Sequence, residues 1–306
     1  MIKYTGHKNI DKKKWDACIN ASVNANIFVQ SWYLDVVYEN WSALILNDYE
    51  AVFPLAEGSK YKISYLFQPF FTRYFGLYKK SGIIATSELF FDALPEKFRL
   101  IEFCLHENEH FKNKAYLLKE RKFQILDLNP AYEKLNGNYS DNTKRNIKKA
   151  IKKEFSIEKG IEPKAIVNLF RATKGGELEI FKPKDYKVLV NLMDTCKNKN
   201  SAETYAVYDA EKELMAAAFF MKFDNRYIFL KSGVNEQGKA YGAMHFLMDT
   251  FIKENAGQNK TLDFGGSSVE TVARFYKNFG AKDCVYLQVK YSKLPKLVNW
   301  IKSLKS

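Results

Sequence analysis

The residues best placed to do chemistry lie between Tyr227 and Ala281. An apolar run, Tyr227-Ile228-Phe229-Leu230, passes Gly233 and enters Gln237-Gly238-Lys239-Ala240-Tyr241-Gly242. A helical pattern runs from Met244 to Glu254, followed by Leu262-Asp263-Phe264-Gly265-Gly266. The stretch closes on Phe275-Tyr276-Lys277-Asn278-Phe279-Gly280-Ala281. It reads as strand, glycine-rich turn, helix, strand, glycine turn, helix. A small-residue turn that feeds a helix points backbone N–H groups at one spot, at the positive end of the helix dipole, and suits an anion. Asp263, at a strand end beside two glycines, can act as a base or orient an amine, and it equally suits the cap of the next helix. Tyr276 can protonate a leaving group or simply pack. Ser267 and Ser268 suit helix caps, because no histidine or aspartate signature makes either a nucleophile.

A second cluster is cationic. Lys144, Arg145, Lys148 and Lys149 occupy one face of a helical pattern whose other face carries Ile147, Ala150 and Ile151. Such a face either contacts phosphate, with Arg145 the most specific through its bidentate fork, or is simply solvated. Arg73 and Tyr74 sit in an aromatic loop, Gln68 to Gly76, whose rings either line an acceptor pocket or cover a core. No metal site is expected. His106 and His110 have i,i+4 spacing but no second ligand pair, and the four cysteines form no CxxC. The cysteines read as buried, reduced thiols of an intracellular protein. The N-terminus has no apolar signal region, and no apolar run is long enough to span a bilayer, so the expected location is cytoplasmic.

The elements that must hold these residues fit two domains. With 306 residues, 46% hydrophobic and 15% aromatic, the chain can fill two ordinary cores, which excludes a disordered chain. Its net charge of +13 favours an anionic partner: a nucleotide, a phosphate-bearing donor, an RNA or an acidic membrane surface. Asp11 caps a first helix and Ser31 a second; Trp41–Leu46 and Ala51–Leu55 form a hairpin. Ser140 or Asp141 caps the basic helix, and Pro163 opens another. Strands are expected near Tyr205–Tyr208, Leu214–Phe223 and Cys284–Lys290, and a last helix over Leu294–Leu304. The expected division is residues 1–130 and 131–306, with the boundary between Leu128 and Ser140.

These motifs resemble a known family. Gln237-Gly238-Lys239-Ala240-Tyr241-Gly242 resembles the Q/R-x-x-G-x-G/A pyrophosphate loop of GNAT acyltransferases. Leu262-Asp263-Phe264-Gly265 with Phe275-Tyr276-Lys277-Asn278-Phe279-Gly280-Ala281 resembles the ending of FemAB-type tandem GNAT transferases, and Tyr139 to Ala150 resembles their basic helix. Phe28 to Trp32 and Gln68 to Gly76 are similar to first-domain signatures. The resemblance implies an α/β (α+β) fold of two tandem GNAT-like domains, each a mixed sheet flanked by helices, with an interdomain cleft. It implies transfer of an acyl or aminoacyl group to an amine acceptor, such as a cell-wall or envelope precursor. The strand end at Leu230–Gly233 would offer a backbone N–H to the carbonyl. Gln237, Gly238, Lys239, Ala240, Tyr241 and Gly242 would hold the donor. Lys277 would bind substrate or stabilise charge in the transition state; otherwise it is a solvated helix lysine.

The chain departs from the family at three points. Ala240 replaces the first loop glycine, Gly266 replaces the arginine that usually follows Asp-Phe-Gly, and the long charged coiled-coil arm is absent. The donor stays open between acyl-CoA and aminoacyl-tRNA. The competing reading is a non-catalytic nucleic-acid-binding protein that uses the Lys144–Lys153 face.

Overall fold

The computed structural model describes residues 1–107, 109–175, 181–266 and 270–294. It divides into two compact units, Met1–Arg121 with the strand residues from Val285, and Lys122–Cys284.

The first unit begins with β1 (Ile2–Gly6), α1 (Lys12–Asn20), α2 (Ser31–Val37), β2 (Ser42–Leu46) and β3 (Ala51–Leu55). It continues through β4 (Glu57–Lys60), β5 (Ile63–Phe67), β6 (Tyr78–Lys79), α3 (Ser87–Asp92) and β7 (Phe98–Cys104) into β8 (Leu117–Asp127). One sheet has the order β1-β2-β3-β6, all antiparallel. The Ser42–Leu55 hairpin turns at Asn47 and Tyr49, both at positive φ. In the second sheet β4 pairs β5, β5 runs parallel to β7, and β7 pairs the last strand, β14 (Lys282–Ser292). Trp15, Trp41, Phe53 and Phe103 fill the core between these elements. Asp11 caps α1, its carboxylate accepting from the Lys13 and Lys14 amides. Ser31 is not the cap of α2. Gln30 holds that position, and the Ser31 amide and hydroxyl both donate to the Asp16 carboxylate at 2.7 Å.

The second unit contains α4 (Tyr132–Gly137), α5 (Asp141–Lys152), β9 (Ser156–Lys159), α6 (Pro163–Phe170) and α7 (Pro183–Asn198). Then come β10 (Ala202–Tyr208), β11 (Leu214–Phe223), β12 (Arg226–Val234), α8 (Glu236–Tyr241), α9 (Ala243–Asn255), β13 (Thr261–Asp263) and α10 (Glu270–Lys277). Its sheet has the order β8-β13-β12-β11-β10-β9. Only the β12–β13 pair is parallel, because the α8–α9 crossover joins them. The result is the mixed α/β architecture expected. Ser140 caps α5 through the Thr143 amide. Ile147 and Ala150 are buried, but Ile151 is 59% exposed, so the apolar stripe of α5 is narrower than its sequence suggests. Phe251 of α9 stacks on Phe220 of β11 at 3.8 Å between ring centres, which seats α9 on one face of the sheet. Gly233 of β12 touches the Leu169–Phe170 backbone, which seats α6 on the other. The expected Leu294–Leu304 helix and the caps Ser267 and Ser268 lie outside the described residues, apart from Leu294.

His245 of α9 carries a pH dependence. Its ring packs on Phe275 at 4.9 Å and Phe279 at 6.0 Å. Burial lowers its pKa from 6.5 to about 4. Between those values the unfolded chain binds a proton that the folded chain refuses. Stability therefore falls as pH drops from about 6.5 toward 4, by up to about 3 kcal/mol. Denaturant melts from pH 7 to pH 4 should show this slope, and His245→Gln should flatten it.

Candidate active site

The site is built on β12. The strand pairs β11 along its whole length, but it pairs β13 only from Arg226 to Ile228, where Ile228 faces Asp263. Beyond Ile228, β12 runs on for six residues while β13 ends, so the two parallel strands part like a fork. The edge of β12 that has lost its strand partner carries backbone groups able to meet a carbonyl or an amide. A bulge adds to this. Phe220 pairs Phe229 and Phe219 pairs Lys231, which leaves Leu230 as the extra residue. One extra residue turns the remainder of the strand to the opposite face. Phe229 therefore meets Phe220 and Tyr276 on the α9 side, while Lys231 and Gly233 face α6.

Three glycines of the expected donor loop are explained by close packing. A Cβ on Gly233 would stand 2.6 Å from the Phe170 amide nitrogen. One on Gly238 would stand 2.4 Å from the Met215 carbonyl oxygen, and one on Gly242 would stand 2.4 Å from the Asn146 carbonyl oxygen. Gly242 also has φ +80° and joins the end of α8 to the start of α9. Asn235 caps α8: its side-chain oxygen accepts the Gly238 amide at 2.6 Å, and its side-chain nitrogen donates to the Leu214 carbonyl. Gln237, Lys239 and Ala240 lie on the exposed side of α8, and Lys239 sits 3.9 Å from Glu236.

The basic helix lies against this turn. Asn146 of α5 touches Gly242, and the Lys153 ammonium sits 4.2 Å from the Tyr241 ring centre. Arg145, Lys148 and Lys149 are exposed, and no carboxylate among the described residues pairs with them. The structure thus brings Gly233, the Gln237–Gly242 segment, Arg145 and Lys148 into one unit, with α5 and α8 as neighbours.

The other candidates are held differently. Asp263 is completely buried; it accepts the Gly265 amide at 2.8 Å and lies 3.5 Å from the Arg226 guanidinium. The Tyr276 ring is buried and stacks on Phe264 at 4.8 Å. The Lys277 ammonium is half exposed and donates to Asp283 at 2.7 Å. Asp283 also accepts from the Gln124 side chain at 2.9 Å; that bond and Lys277 hold its pKa below the usual carboxylate value. Arg73 and Tyr74 belong to the first unit. The Arg73 guanidinium lies over the Phe28 and Tyr74 rings at 5.5 and 5.9 Å, and the Tyr74 ring lies 4.7 Å from His106.

Residues 140–278 match the acetyltransferase (GNAT) domain family Acetyltransf_6. The match spans a little under half of the chain. No curated protein matches it in a sequence search. Solved structures resemble it along almost the whole chain. FemX covers 93% of this chain and 96% of its own, at a TM-score of 0.62 and 14% identity. L-PGS from Bacillus licheniformis covers 95% of each, at 0.57 and 11%. A tandem GNAT protein from the clavulanic acid biosynthesis pathway, determined without AcCoA, covers 96% of this chain and 99% of its own, at 0.54 and 9%. At these identities the likeness is one of fold, and the fold is that of the FemAB-like tandem GNAT proteins. The GNAT match holds the β12–β13 fork, the α8–α9 turn and α5. Among the described residues no helix is long and apolar enough to cross a membrane, and no three acidic, cysteine or histidine side chains cluster as a metal site.

Lys231 was not picked out from the sequence. It follows an apolar run that reads as plain strand, and nothing there signals the bulge at Leu230. Its ammonium lies 4.3 Å from the Phe170 ring centre and 5.2 Å from that of Phe181. Burial lowers its pKa from 10.5 to about 8.

Proposed function

We propose that the chain is an N-acyltransferase moving an acyl or aminoacyl group from an activated donor to an amine acceptor. The observation that carries the reading is the fork after Ile228, set beside the α8–α9 turn within a GNAT domain. Transfer to an amine needs a neutral nucleophile, a stabilised oxyanion and a protonated leaving group. The unpaired edge of β12 is suited to donate a backbone N–H to the donor carbonyl as charge builds on its oxygen. The exposed cations of α5, next to Tyr241 and Gly242, suit the phosphates of a donor. Both acyl-CoA and aminoacyl-tRNA carry such phosphates, and either donor places the reaction in the cytoplasm. A cell-wall or envelope precursor bearing a free amine is the acceptor class.

The bare cationic face of α5 also favours a second reading, nucleic-acid binding without catalysis. One screen separates the two. Thermal melts are recorded with acyl-CoAs, UDP-sugar peptides and aminoacyl-tRNA. A transferase should show a saturable rise in Tm with one donor class. No rise with any donor, together with steeply salt-dependent RNA binding, would sink the transferase reading.

A further inference from the structure

We propose that Lys231 is a self-acylation site, an internal amine that accepts an acyl group from an activated thioester or ester. The proposal rests on the transferase reading above. Its basis is placement. Lys231 lies on β12 three residues beyond the point where β13 parts from it, and two residues before Gly233. The bulge at Leu230 turns it onto the face that α6 covers, away from the Phe229–Tyr276 packing. Its ammonium lies against the adjoining Phe170 and Phe181 rings, and no carboxylate among the described residues pairs with it. Other lysines of this unit differ. Lys159, Lys222 and Lys277 lie within 4 Å of Glu254, Glu203 and Asp283 respectively. Lys148 and Lys149 stand in solvent.

Loss of water around the amine favours its neutral form. With a pKa of about 8 against an ordinary 10.5, the neutral fraction at pH 7 rises roughly 300-fold. The two rings limit where the nitrogen can go, so it is held more closely than a surface lysine. In the step itself, the ammonium first loses a proton to solvent. The neutral nitrogen then attacks the acyl carbonyl carbon, forming a C–N bond as the C–S or C–O bond breaks. The second proton lost by the nitrogen goes to the departing thiolate or alkoxide. The product is a neutral amide against two aromatic rings, which removes the cost of a desolvated charge.

The test uses the full chain at pH 7.5. It is incubated with acetyl-CoA and, separately, with acetyl-N-acetylcysteamine, a thioester without phosphates. Soluble amines are present in both arms, and peptide mass mapping tracks each lysine with time. Lys231 is expected to acetylate at least about 10-fold faster than Lys148, the exposed reference. Lys231→Arg, checked for folding by its melt, should lose that peptide's label and keep labelling at Lys148. Labelling of Lys231 no faster than Lys148 in both arms overturns the proposal. Transfer to an added amine with Lys231 unmodified also overturns it, while leaving the transferase reading standing. Fast labelling from the small thioester but not from acetyl-CoA supports the reactive amine and counts against CoA as donor.

Discussion

Gly242→Ala should destabilise the second unit by about 2–4 kcal/mol, among the largest losses expected from adding a single methyl group to this protein. Two costs combine. The backbone has φ +80°, where an L side chain is strained by about 1–2 kcal/mol. The new Cβ would also stand 2.4 Å from the Asn146 carbonyl oxygen and 2.9 Å from its carbon, both backbone atoms that cannot swing aside. Something must move: α5, or the α8–α9 joint, or both. Gly257 separates the two terms. It has φ +73° with nothing within 4 Å of an added Cβ, so Gly257→Ala should cost only the strain, about 1 kcal/mol. Urea melts of the two variants give the comparison. Equal losses would mean that the approach of α5 to Gly242 is not tight in solution. If it is tight, Gly242→Ala should also weaken donor binding, because it displaces the basic helix from the turn.

Local signals in the sequence were sufficient for much of the architecture. Asp11 and Ser140 read as caps and act as caps, because a short oxygen-bearing side chain before an apolar period has few other uses. The strand–turn–helix order of Tyr227 to Glu254 was legible from glycine placement and period, as was the hairpin at Asn47–Glu50. Long-range facts were not legible. Gln30 displaces Ser31 as a cap because Asp16, fifteen residues away, takes the Ser31 amide and hydroxyl. The glycines at 233, 238 and 242 suggested an anion cradle, whereas each is also required by backbone approaching from another element. Sequence alone cannot distinguish a glycine that makes room for a ligand from one that makes room for a helix. The Lys277–Asp283 pair and the bulge at Leu230 are likewise set by partners outside their own elements, and so is the placement of Lys231 against Phe170 and Phe181. The residues of the candidate site were therefore easier to locate than to orient.

The basic helix gives the second large effect. Arg145→Glu combined with Lys148→Glu should raise the Kd of a phosphate-bearing donor by about 10–100-fold, with the melting curve nearly unchanged. Stability should hold because neither side chain is buried and neither has a carboxylate partner among the described residues to lose. Affinity should fall because α5 touches the Tyr241–Gly242 joint through Asn146 and Lys153, and Arg145 and Lys148 add positive charge within a turn of Asn146. Salt gives the internal check. Exposed charges are screened over about 8–10 Å at 0.1–0.15 M ionic strength, so the gap between variant and parent should narrow as salt rises. The size of the salt effect also separates the donors. A tRNA contacted by several of Lys144, Arg145, Lys148, Lys149 and Lys152 should show a steep slope of log affinity against log salt, and the double variant should flatten it. An acyl-CoA carries only a few phosphate charges at one end, so its slope should be shallow and the variant's loss nearly confined to Arg145. Lys152→Glu discriminates further, since Lys152 lies two turns along the helix from Arg145 and only a long polyanion reaches both. Unchanged Kd in the double variant for every donor that binds would leave α5 as a solvated face, and the turn would have to hold its ligand through backbone groups alone.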